Sequence, residues 1–107
     1  MISEDEVEKA VDFLRDSATK AAKARAERIY LEEFRKSLRS IIMKEHMDAT
    51  VSAQEREAMA DPRYVQHLEA MKIAIQRDED IRFMRVAAEA KIEAWRSMNA
   101  NYRAMKI

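Results

Sequence analysis

Not one of the 107 residues is glycine, and only one, Pro62, is proline. Glycine supplies the positive-φ conformations of tight turns and two-residue β-hairpins. A chain without it is a poor candidate for a multi-stranded sheet. Proline is the strongest helix breaker, so a chain with one is free to run helix for long stretches. Ala, Glu, Lys, Arg and Met, all good helix formers, fill most of the remaining positions. The expectation is an all-α protein of few, long helices.

The boundaries follow from local signals. Ser3 with Glu6 three residues on forms a capping box and starts a helix over residues 3–46. Its apolar positions are Val7, Ala10, Leu14, Ala18, Ala21, Ala24, Leu31, Phe34, Leu38 and Ile41, in steps of three and four. At 1.5 Å per residue such a helix spans about 60 Å, a coiled-coil dimension. Residues 47–51 read as a turn, because Asp48 favours turns and Thr50 and Val51 are weak helix formers. Ser52 and Glu55 offer a second capping box for a short helix over 52–60. Asp61-Pro62 ends that helix and starts the last, over 62–105. The last helix carries Tyr64, Leu68, Met71, Ile75, Ile81, Met84, Ala88, Ile92, Trp95 and Tyr102 as its stripe. The whole reads as one helical domain, 1–107, a long antiparallel two-helix hairpin with a short helix at the turn.

Aligning Leu38 with Leu68 sets Phe34 against Met71 or Lys72, Leu31 against Ile75, Ala21 and Ala24 against Met84 and Ile81, and Leu14 against Ile92. The same alignment brings Arg28, the basic interruption of the first stripe, opposite Asp78, the acidic interruption of the second. The expectation is a structural charge pair that specifies register and adds little net stability. Ile29, Tyr30, Ile42, Ile73, Phe83 and Val86 fall off the seam. A single hairpin leaves such residues exposed, which predicts a homo-oligomer, a dimer or higher, forming a helical bundle.

Chemistry is sparse. With no Cys there are no disulfides and no thiolate metal sites. His46 and His67, both near the turn, are the only histidines, and neither has the Glu three residues earlier that di-iron bundles use. Asp78-Glu79-Asp80 diverge by 100° per residue on a helix and make a poor cation cage. A phosphate-cradling loop needs glycine. No catalytic residue, cofactor or metal is expected. No apolar run approaches the ~20 residues of a membrane span. The acidic start, Met1 to Glu6, resembles neither a secretory signal nor a transit peptide, so a cytoplasmic protein is expected.

The twenty basic and twenty acidic side chains cancel, but residues 15–44 hold nine Lys/Arg against four Asp/Glu. Lys20, Lys23, Arg35, Lys36 and Arg39 on the first helix, with Arg96, Tyr102 and Arg103 near the C-terminus, are the candidate nucleic-acid face. Phosphates favour Lys/Arg stripes, and exposed aromatics stack on single strands. A solvated helix face laced with ion pairs such as Glu32–Lys36 accounts for the same residues.

Three segments carry a resemblance: Tyr30-Leu31-Glu32-Glu33-Phe34-Arg35-Lys36, Glu55-Arg56-Glu57-Ala58 with Asp61-Pro62-Arg63-Tyr64, and Ala87-Ala88-Glu89-Ala90-Lys91-Ile92-Glu93-Ala94-Trp95-Arg96-Ser97. Over residues 20–103 the chain resembles small helical phage and prophage accessory proteins, which tend to be encoded near replication and recombination genes. The resemblance transfers no active-site residue. It implies a protein in the cytoplasm of an infected host. Such a protein binds a phage or host protein, host defence included, or serves as a DNA-binding accessory factor, or acts as a structural oligomer.

Overall fold

The computed structural model describes residues 1–106 and contains three helices: α1, Glu4–Lys44; α2, Val51–Ala60; and α3, Pro62–Met105. No strand occurs among the described residues, and none of them has positive φ. Two compact units divide the chain, one joining residues 1–22 to residues 79–106, the other Lys23–Asp78. In each, a half of α1 runs antiparallel to a half of α3. No helix among the described residues is long and apolar enough to cross a membrane.

The helix ends show how the chain turns without glycine. Ser3 and Glu6 form the expected capping box, each side chain bonding the other's backbone N–H. At α2 the cap lies two residues earlier than Ser52. Thr50 is the N-cap, extended at φ −64° and ψ 159°, and its side chain accepts from the Ala53 N–H at 3.2 Å. The Gln54 amide donates back to the Ala49 carbonyl at 3.0 Å. Glu55 is thereby freed from capping and bonds Arg39 of α1 at 3.1 Å. Because Thr50 provides the cap, Thr50→Ala is expected to cost about 1 kcal/mol, whereas Ser52→Ala is near neutral; urea denaturation of the two variants checks this.

Asp61 ends α2 in an extended conformation, as a residue before proline must, and caps α3 by accepting from the Arg63 N–H at 2.8 Å. The Arg63 guanidinium bridges Asp61 and Glu45, the latter at 2.6 Å. These side-chain and backbone bonds from Arg63 hold the Asp61 carboxyl below the ordinary carboxylate range. Beneath this joint lies the apolar centre of the Lys23–Asp78 unit: Ile42 and Ala58 are fully buried against Tyr64, with Leu38 and Met43 beside them.

The seam follows a seven-residue repeat. On α3 it takes Tyr64, Met71, Asp78, Arg85, Ile92 and Asn99, alternating with His67, Ala74, Ile81, Ala88 and Trp95; all are buried or half-buried. On α1 it takes Val7, Ala10, Leu14, Ser17, Ala21, Ala24, Arg28, Leu31, Leu38 and Ile42, with Arg35 the one exposed member. This corrects the apolar stripes at several places. Ser17 is buried and Ala18 is not; Ile42 replaces Ile41, His67 replaces Leu68, and Arg85 replaces Met84. Phe34 and Tyr102 also lie outside. Paired helices hold a 3.5-residue period, and that period overrides the choice of the more apolar neighbour wherever the polar side chain finds a partner. The register set by aligning Leu38 with Leu68 holds where Arg28 meets Asp78, but Leu68 and Met84 themselves stand exposed at the edge of the seam.

Candidate interaction surface

Five polar seam residues, Ser17, Arg28, His67, Asp78 and Arg85, have partners on the facing helix. In the Lys23–Asp78 unit, Arg28 Nε lies 2.7 Å from Asp78 Oδ2. The carboxylate sits off the N–H axis, so this buried Nε makes no directed hydrogen bond and the pair is held by charge. Glu32 stands 3.8 Å from the same guanidinium. His67 Nε2 meets the Leu31 carbonyl at 2.6 Å, and a carbonyl only accepts, so Nε2 carries the proton. The Phe34 ring lies 5.6 Å from the His67 ring. In the other unit Arg85 donates to the Leu14 carbonyl at 2.7 Å and to Ser17 Oγ at 2.8 Å. Sequence reasoning missed Ser17, His67 and Arg85 as seam residues; the seven-residue step from Asp78 to Arg85 to Ile92 was the signal that marked one of them.

Of the acidic run at 78–80, two members are engaged in ion pairs. Glu79 is paired with Arg82 and Asp78 with Arg28. No group of three or more His, Asp or Glu residues that could hold a metal ion occurs among the described residues.

The candidate nucleic-acid residues divide in two. Lys20, Lys23, Arg35, Lys36 and Arg39 are all exposed but fan across about 220° of the helix circumference at 3.6 residues per turn; they form no stripe. Lys36 is paired with Glu33 at 3.4 Å and Arg39 with Glu55 at 3.1 Å. Arg96, Tyr102 and Arg103 do come together, around an open depression near the C-terminal end of α3 with Trp95 and Asn99. There Arg96 is paired with Glu93 at 2.8 Å.

Large apolar side chains also stand exposed on the surface. In the Lys23–Asp78 unit, Tyr30, Phe34 and Ile41 stand 62%, 36% and 51% exposed on α1, with the Tyr30 and Phe34 rings stacked 6.0 Å apart. In the other unit Phe13 and Met84 flank a shallow groove floored by Ala10, Ala87 and Ala88 and edged by Glu6, Lys9 and Lys91. Met84 is 57% exposed there, next in sequence to the half-buried seam residue Arg85. No protein-family model, no curated protein and no solved structure matches the chain.

Proposed function

We propose that the chain is a non-enzymatic interaction protein, and that it works by docking its exposed apolar helix faces onto another protein. One observation carries this reading. The seam accepts Ser17, His67 and Arg85 while Phe34, Leu68 and Met84 stay at least a third exposed. Large apolar side chains grouped on a surface mark interaction sites, and here they are left out of the seam beside polar residues that are taken in. The resemblance to phage accessory proteins adds a setting, the cytoplasm of an infected cell, and partners of phage or host origin.

The alternative of a DNA-binding accessory factor has weaker support, because the basic residues of α1 are dispersed and partly ion-paired. Affinity capture from infected-cell extract, using the wild type, Phe34→Asp and Met84→Asp, tests the proposal. The expected result is a specific protein lost from at least one variant. Identical capture by all three, or none, would overturn the reading. Fluorescence anisotropy with single- and double-stranded oligonucleotides at low salt completes the test, and no saturable binding is expected. Tight binding that weakens steeply with salt, as counterion release requires, would put the DNA role in its place.

A further inference from the structure

A second stripe runs along α1 with the same three-four spacing as the seam: Lys23, Glu27, Tyr30, Phe34, Ser37, Ile41, Lys44. Every member is exposed, and all lie in one compact unit. Its order is distinctive. A basic and an acidic residue, Lys23 and Glu27, precede the apolar centre; a basic residue, Lys44, follows it, with the acidic Asp48 four residues further on in the turn. We infer that this stripe is a self-complementary coiled-coil face, and that its occupant is the same stripe of a second copy running antiparallel.

The pairing can be built layer by layer. Setting Phe34 against Ser37 of the second copy packs a large residue on a small one. Tyr30 then meets Ile41, Glu27 meets Lys44, and Lys23 points toward Asp48. Each contact occurs twice, as a two-fold interface demands. A parallel copy would instead stack Lys on Lys and Glu on Glu, a repulsion that selects against it. The stripe runs over residues 23–44, about 33 Å of helix at 1.5 Å per residue.

This inference rests on the reading of the chain as a protein-binding module, and its test can fail without that reading failing. Sedimentation equilibrium at tens of micromolar is expected to give twice the 12.5 kDa chain mass, and Phe34→Asp is expected to give the monomer with unchanged helical circular dichroism. Lys44→Glu, which sets two acids face to face, is expected to weaken the dimer on the order of tenfold; adding Glu27→Lys restores it. Because the chain has no native Cys, Glu27→Cys and Lys44→Cys chains can be mixed with a short bismaleimide. Cross-linking between the two variants and not within either supports the antiparallel pairing. A wild-type monomer, a dimer indifferent to Phe34→Asp, or each Cys variant joining to itself would overturn it. Capture lost only through Met84→Asp would leave the docking reading standing in the first two cases.

Discussion

Reversing the buried charge of Asp78 is expected to be among the most damaging single changes in the chain. Asp78→Arg sets two guanidinium groups against each other where Asp78 is buried and Arg28 half-buried. Losing one partner of such a pair costs about 3–5 kcal/mol, because an unpaired charge is left out of water. Urea denaturation at fixed protein concentration should show that loss. Arg28→Asp combined with Asp78→Arg should recover most of it. Replacing both by leucine should be neutral or stabilising, by up to about 4 kcal/mol, since desolvating two charges consumes most of what their attraction returns. An equal loss in the single and double reversals would mean the two side chains do not act as a pair.

Ile42→Ala should cost about 2–5 kcal/mol. Among the described residues Ile42 is the one large side chain with no exposure at all, and it packs where α1, α2 and α3 converge with Ala58 and Tyr64. Truncation leaves a cavity that Ala58 is too small to fill. Its neighbour is the control. Ile41 is half exposed, so Ile41→Ala should cost little in a dilute sample and more as concentration rises, because ligation by a second copy stabilises by mass action. Thermal melts of both variants over a hundredfold concentration range check this. Equal, concentration-independent shifts would remove the distinction between the two faces.

Much of the fold was legible. Zero glycine pointed to helix, Asp61-Pro62 located the break between α2 and α3, and Arg28 with Asp78 was readable because each interrupts a stripe. The phase of the seam was not legible from apolarity. At three places a polar residue and an apolar one stand side by side, as at His67-Leu68 and Met84-Arg85, and hydrophobicity names the apolar one. The choice depends on backbone acceptors, the Leu31 and Leu14 carbonyls, which sit on the other helix. The Thr50 cap was hidden for a related reason. Ser52-x-x-Glu55 is the stronger local pattern, but Arg39 draws Glu55 away. Of the candidate surface only Tyr30 was legible as a residue left over from the seam, since Phe34, Ile41 and Met84 read as stripe residues and stand exposed; the order of charges along the second stripe becomes meaningful only once every member is known to be exposed.

The polar seam residues also bear on how the chain reaches its native state. Long helices with uniform apolar repeats can zip together one heptad out of step and then creep slowly into place. In each unit here a slip of seven residues separates a charged or hydrogen-bonding seam group from its partner: Arg85 leaves Ser17 for an alanine, and Asp78 leaves Arg28. A mispaired hairpin therefore strands a guanidinium or a carboxylate among apolar neighbours, at a cost comparable to the whole stability of a small domain. Such pairings melt sooner than they anneal, and the landscape drains toward one alignment. Charges that add little to the depth of the native well instead raise the floor of its competitors, and folding without a slow, creeping phase is the kinetic signature to expect.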